Sequence, residues 1–188
     1  DSLDRQSVER RQRQMCTRDS TQYKAQSLIR HIERGWGFLA TSLGEFVDVI
    51  PAQQRHGEVW YSGTADAVWQ NLGIVQKERP DYVLVLGGDH VYKMDYAVML
   101  EEHVASGARL SVACVEVPRE QSIDFGVMAV DERDRITEYS EKQADAPTIP
   151  NRPTHALASM GIYVFDTSFL VELLSDDAND PASSHDFG

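Results

Sequence analysis

Apolar positions along the chain fall into short blocks whose spacing alternates between helix-like and strand-like. Val8 to Arg18 is rich in Arg and Gln with little apolar periodicity, and reads as a solvated helix or loose tail. From Gln22 the pattern tightens. Leu28, Ile32 and Trp36 recur at four-residue spacing, which predicts an amphipathic helix ending near Gly35 or Gly37. Glu45 to Ile50 alternates as a strand does and stops at Pro51. Thr64 is the expected N-cap of a helix with Ala65, Val68, Leu72 and Val75 on its apolar face, broken at Pro80. Tyr82 to Leu86 is a near-continuous apolar run, the pattern of a strand covered on both faces.

Asp95 is placed to cap a helix carrying Tyr96, Met99, Leu100 and Val104, closed by Gly107. Arg109 to Val117 is a further strand. Strand, helix, strand in that order predicts a βαβ unit with parallel strands. Val127 to Val130 and Ile136 to Ser140 flank the polar turn Asp131 to Arg135, a hairpin pattern. Ala144 to Pro153, with three prolines, reads as a surface loop. Ser159 to Phe165 is another strand, and Asp166 or Thr167 caps a helix bearing Phe169, Leu170, Leu173 and Leu174. The class these elements imply is α/β, with a mixed, mainly parallel sheet. Ligands of such sheets sit beyond the carboxyl ends of the strands.

Charge narrows the function. The 188 residues carry 30 acidic and 18 basic side chains, a formal net charge of −12. That balance disfavours nucleic acid and anionic membrane as main partners. For a phosphate-binding protein it means that a few particular Lys or Arg positions must do the neutralising. No apolar stretch approaches the roughly 20 residues needed to span a bilayer. Asp1 to Arg18 lacks the apolar centre of a secretory signal, so a cytoplasmic enzyme of one main domain is expected. Cys16 and Cys114 have no metal-type spacing, and Cys114 reads as a buried, inert thiol.

Several segments carry candidate chemistry. Gly87-Gly88-Asp89-His90 follows the most apolar strand. The glycines allow a tight turn and close approach, and a hard carboxylate such as Asp89 suits Mg²⁺. A plain turn with Asp89 capping the next segment is the alternative. His90 reads as a hydrogen-bonded structural residue. Trp60 and Tyr61 offer an aromatic face, and the helix start after Gly63 offers N–H groups to an anion. A capped helix with two core aromatics explains the same residues. Glu141-Lys142 supplies an ammonium that suits a sugar phosphate, though a lone Lys is more often solvated surface. His185-Asp186-Phe187 reads as a polar reader or as a helix start.

Taken together, these segments resemble the bacterial glucose-1-phosphate adenylyltransferases. The resemblance runs from Thr21-Gln22-Tyr23-Lys24 through His31 to Trp36, Pro51 to Arg55, Trp60 to Val68 and Gly88 to Tyr92. It continues through Phe125-Gly126-Val127-Met128, Ser159 to Phe165 and Ser183 to Gly188. Such a family implies the conversion of ATP and glucose 1-phosphate to ADP-glucose and pyrophosphate with Mg²⁺, in glycogen biosynthesis. It also implies a Rossmann-like nucleotidylyltransferase fold, here truncated at both ends, and homotetramers for full-length members. Carried over by position, Asp89 corresponds to the metal ligand. Gln22, Trp60, Tyr61 and Gly63 correspond to the nucleotide side. Tyr61, Gly126, Glu141, Lys142, Ser159, Tyr163, Asp186 and Phe187 correspond to the sugar-phosphate side, with Lys142 on the phosphate.

The departures from the family pattern matter as well. Residues 1–20 are expected to be an unmatched polar tail and 21–188 a partial catalytic domain. The family's glycine-rich, arginine-bearing triphosphate loop has no counterpart in these residues, and Gln143 stands where the family has proline. A non-catalytic remnant that binds sugar phosphate or partner subunits is the alternative reading. The 188-residue chain alone is therefore expected to show little or no ADP-glucose synthesis in a pyrophosphate-release assay. Near-normal turnover would overturn that expectation.

Overall fold

The computed structural model describes residues 16–21, 25–36, 46–51, 61–88, 92–143 and 145–187. They form two compact units, residues 1–77 with 177–186, and 78–176 with 187–188.

In the first unit, β1 (Cys16–Thr21) pairs in parallel with β2 (Phe46–Pro51), from Cys16↔Phe46 to Thr21↔Pro51. Between them in sequence lies α1 (Ala25–Trp36), where the four-residue spacing predicted a helix. Ile32 is its buried position, while Leu28 is left exposed. The strand at Cys16–Thr21 corrects the expected tail, which ran through Arg18. Its sequence, Cys-Thr-Arg-Asp-Ser-Thr, has little apolar content, and what places it is the backbone ladder to β2. A ladder is blind to side-chain polarity.

The helix expected after Gly63 is two short ones, α2 (Thr64–Trp69) and α3 (Leu72–Glu78). The break falls at Asn71, which is buried and donates from Nδ2 both to Ala67 O (2.8 Å) and to Tyr61 Oη (2.9 Å). Asn competes with the helical ladder in this way whenever its amide reaches nearby backbone. Ala65 and Leu72 form the buried face.

The second unit holds a five-stranded sheet built on one long strand. Its elements are β3 (Tyr82–Leu86), α4 (Tyr96–Ser106), β4 (Leu110–Pro118), a 3₁₀ turn at Arg119–Asp124, β5 (Gly126–Val130), β6 (Ile136–Glu141), β7 (His155–Asp166) and α5 (Thr167–Ala178). β4 runs antiparallel along one edge of β7, from Leu110↔Phe165 to Pro118↔His155. The other edge is shared, by β3 opposite Ile162–Asp166 and by β5 opposite Leu157 and Ala158. β6 completes the predicted hairpin with β5.

The α/β class stands, but the expected mainly parallel bonding does not. β3 and β4 do run in the same direction, as a βαβ unit requires, yet β7 lies between them and bonds both antiparallel. Sequence order gives strand direction across a helical crossover, not adjacency. β3 accordingly is only half-buried, with Leu86 41% exposed, against the expected strand covered on both faces.

Local chemistry explains the remaining joints. Asp95 Oδ1 accepts from Ala97 N (3.0 Å) at the start of α4, and Gly107 closes it in the left-handed conformation, φ 65°. In the hairpin turn, Asp131 Oδ1 accepts from the amides of Arg133 and Arg135, which holds its carboxyl below the usual range. Met99, Ile162 and Val164 form one core cluster, and Val127, Ala146 and Ala156 another. His103 on α4 is fully buried, bonded to Ser111 of β4 (2.8 Å) and Asp166 of β7 (3.2 Å), and edge-on to Tyr82. Buried imidazole nitrogens need such partners. Cys114 is a thiol that burial pushes up to about 11, in keeping with an inert role.

β7 is interrupted once. Val112 pairs with Tyr163 and Cys114 with Ser159, so Met160, Gly161 and Ile162 oppose Ala113 alone. Gly161 sits at φ 65° in this bulge, and its carbonyl accepts from Gly87 N (2.9 Å) just past β3. A side chain there costs about 1–2 kcal/mol. Gly161→Ala is expected to lower the unfolding free energy by that much, read as a lower urea midpoint with unchanged m-value; a midpoint equal to the wild type would show that the bulge needs no glycine.

Candidate active site

Strand alternation brings most of the predicted sugar-side residues onto one face of the sheet. Tyr163 pairs with Val85 and Val112, Ser159 with Cys114, Met128 with both Leu157 and Tyr139, and Gly126 with Glu141. Cross-strand partners share a face, so Gly126, Tyr139, Glu141, Ser159 and Tyr163 all project to the same side. The opposite side carries the buried Val127, Ala156, Ala158, Ile162 and Val164. The bulge at Gly161 adds an even number of residues, so Ser159 and Tyr163 stay in phase across it. Ser159 Oγ accepts the Gly161 amide (3.3 Å) there. Phe187 packs on this face, with ring centroids 5.7 Å from both Tyr163 and Phe165.

At the far end of the face, Gly126 and Tyr139 are in close contact. A Cβ on Gly126 would lie 2.8 Å from Tyr139 Cε2, so only a glycine lets the ring lie over that backbone. The Tyr139 hydroxyl donates to Glu141 Oε2, and Lys142 Nζ lies 3.4 Å from Glu141 Oε1. Glu141 is thus held between a phenol and an ammonium. Lys142 has a left-handed backbone, φ 49°, and its amide donates to Phe125 O (3.1 Å). Its side chain is 67% exposed, so the pair with Glu141 adds little stability.

The remaining predicted residues meet at the start of α2. Gly63 is its N-cap and makes no side-chain bond; Thr64, expected in that role, is the first helical residue. Thr64 N donates to Asp186 Oδ1 (2.7 Å) and Thr64 Oγ1 to the same oxygen (2.9 Å). Ala65 N and Asp66 N donate to His185 O at 2.9 and 3.2 Å. These N–H groups, read from the sequence as available to an anion, already have acceptors. Gly63 has another job. A Cβ there would lie 2.6 Å from the His185 carbonyl carbon and 2.9 Å from Asp186 Oδ1, so glycine lets the 185–186 backbone close on the helix. Tyr61 is fixed by Asn71.

Gln22, Trp60, Asp89 and His90 lie outside the described residues. Among the described residues no three His, Cys, Asp or Glu side chains gather as metal ligands. No helix among them is long and apolar enough to cross a membrane.

Residues 14–188 match the nucleotidyl transferase family. The chain belongs to that family. It is 58% identical over 168 residues, 89% of its length, to the glucose-1-phosphate adenylyltransferase of Methylococcus capsulatus (strain Bath). Proteins of the same name from Hydrogenovibrio crunogenus and Nitrosospira multiformis are 56% and 55% identical over 89% and 90% of the chain. The chain spans 40% of the length of each of these curated relatives. The family match begins at residue 14, so it takes in β1, inside the stretch expected to be tail.

Two residues that sequence reasoning missed stand out within this family frame. Tyr139 gives no signal beyond alternation on a strand, and Asp177, which binds Ser183 and His185, reads as an ordinary helix-end acid. Burial pushes the Tyr139 phenol up, and the hydrogen bond and charge of Glu141 add to it, followed by Tyr163. An ultraviolet pH titration is expected to find Tyr139 and Tyr92 ionising late, and Glu141→Gln to bring one of these two ionisations part of the way back. Unchanged titration in that variant would place Glu141 away from the phenol.

Proposed function

We propose that the chain is the portion of a glucose-1-phosphate adenylyltransferase catalytic domain that binds the sugar phosphate. The observation that carries this reading is the gathering of Gly126, Glu141, Ser159 and Tyr163 on one sheet face under Phe187, with Lys142 exposed beside Glu141. The relatives' shared name supports it. A glucosyl ring suits a face of aromatic rings and hydroxyls, where apolar ring faces cover C–H groups and polar tips take the hydroxyls. Lys142 neutralises the phosphate, as a point charge does well.

In the reaction, an oxygen of the glucose phosphate attacks the α-phosphorus of ATP. A new P–O bond forms as the bond to the β-phosphate oxygen breaks, and pyrophosphate leaves with that electron pair. Such transfers need positioning and charge neutralisation more than proton transfer. Lys142 holds the attacking group and limits repulsion between two anions. Gln22, Trp60, Tyr61 and Gly63 take the nucleotide side. Asp186 and Phe187 close the sugar side. Mg²⁺ held by Asp89, whose carboxylate follows two glycines after β3, would spread the charge on the phosphates. The protein is further proposed to be cytoplasmic and, at full length, to act as a homotetramer, with no nucleic acid or membrane partner.

Thermal shift tests the sugar-phosphate assignment directly. Glucose 1-phosphate at about 100 times its Kd is expected to raise Tm by on the order of 5–10 °C, without Mg²⁺. Lys142→Ala should abolish most of that shift while leaving the ligand-free Tm near the wild type. No shift with millimolar glucose 1-phosphate would overturn the reading. A shift without turnover in chains that include the remaining catalytic-domain segments would favour the non-catalytic binding alternative.

A further inference from the structure

His185 occupies a turn that is bonded through its backbone amide, its carbonyl and its ring Nδ1. Its Nδ1 lies 2.9 Å from Asp177 Oδ2, and its amide donates to Ser183 Oγ (3.0 Å). Ser183 Oγ in turn donates to Asp177 Oδ1. Both oxygens of Asp177 are therefore committed to this turn. The His185 backbone is left-handed, φ 58°, a conformation that a residue with a side chain keeps only where its surroundings hold it. That conformation aims the His185 carbonyl at the amides of Ala65 and Asp66, and sets the Asp186 carboxylate on Thr64. Nothing in the reaction itself uses His185, yet the placement of Asp186 follows from it.

We propose that His185 is the positioning residue for Asp186, its ring, pinned by Asp177, locking the turn that delivers Asp186 to the start of α2. The proposal rests on the reading of Asp186 as a sugar-side residue, and His185 acts through it without touching substrate.

The charges facing His185 all point one way. Asp177 comes from the end of α5, Asp180 from the turn that follows, and Asp66 from the first turn of α2. The hydrogen bond to Asp177 raises the His185 pKa; burial opposes it, and the charges of Asp177, Asp66 and Asp180 add to the rise. Burial also opposes the Asp177 charge, but the bonds from Ser183 and His185 outweigh it and hold its pKa down. The signs then define a window. A raised histidine contributes its full stabilisation below its unfolded pKa and loses it as pH rises through the folded one. A depressed carboxylate contributes above its unfolded pKa and loses it as pH falls through the folded one. The clasp is tight between those limits and loosens on the alkaline side.

The test follows the amides of Thr64, Ala65 and Asp66 by NMR hydrogen exchange in the wild-type chain, from about pH 5.5 to about pH 8.5. Protection factors are expected to fall about tenfold for each pH unit by which His185 titrates above its free value. The midpoint should coincide with that of the His185 Cε1 proton. Asp177→Asn should move both midpoints down together. His185→Asn tolerates the left-handed turn and has no proton to lose, so its protection should be flat. Protection in the wild type that is flat, or that falls without tracking His185, overturns the proposal, and this reading needs no variant to fold.

Glucose 1-phosphate affinity supplies the second readout, compared with His185→Asn so that the ligand's own titration cancels. Affinity that weakens in step with amide protection in the wild type supports the positioning role. Affinity indifferent to His185 while protection changes overturns it. If protection tracks His185 but the wild type binds no glucose 1-phosphate at any pH, the clasp stands and the sugar-site reading is what fails.

Discussion

The hydrogen-bond ladder on β7 is the constraint from which the second unit follows. His155–Asp166 bonds along both edges, with β4 running the length of one and β3 and β5 dividing the other. Because each ladder fixes register as well as neighbour, it also fixes which side chains share a face. One face takes the small and branched residues Ala156, Ala158, Ile162 and Val164 into the core. The other is left for Ser159, Tyr163 and their cross-strand partners. The bulge at Gly161 interrupts the β4–β7 ladder, and because it adds an even number of residues it leaves the two halves of that face in phase.

Electrostatics shape the site within a strongly acidic chain. A net charge of −12 repels anions at long range, so binding of the proposed sugar phosphate would depend on local arrangement. Lys142 has a left-handed backbone just past β6 and lies beside Glu141, whose other oxygen is held by Tyr139. The carboxylate orients the ammonium without burying it. Exposure keeps the ion pair weak, and a weak pair is one that a phosphate can displace.

The start of α2 solves a general problem by an unusual route. The first N–H groups of any helix need acceptors, and a side chain at the N-cap usually provides one. Gly63 provides none, and the acceptors arrive from His185 and Asp186, 122 positions along the chain in the case of Thr64 and Asp186. This long-range cap ties Gly63, proposed for the nucleotide side, to Asp186, proposed for the sugar side. Gly63 matters because its missing Cβ admits the 185–186 backbone.

The sequence by itself determined what local chemistry governs. Helices at Ala25–Trp36, Tyr96–Ser106 and Thr167–Ala178 follow from apolar spacing with Asp95 and Gly107 as punctuation, and the β5–β6 hairpin from its polar turn. The order of motifs along the chain also carries the family. Tertiary structure decided what depends on partners far along the chain. β7 lies between β3 and β4 because a ladder bonds whichever backbone docks there, and apolar runs do not encode their neighbours. β1 forms from polar residues for the same reason. The division of Thr64–Glu78 at Asn71, the capping of Thr64 by Asp186 and the clasp of His185 by Asp177 likewise pair groups that no local spacing relates. Periodicity and caps act over a few residues; strand adjacency and the completion of a site are settled only when distant backbone polar groups find acceptors.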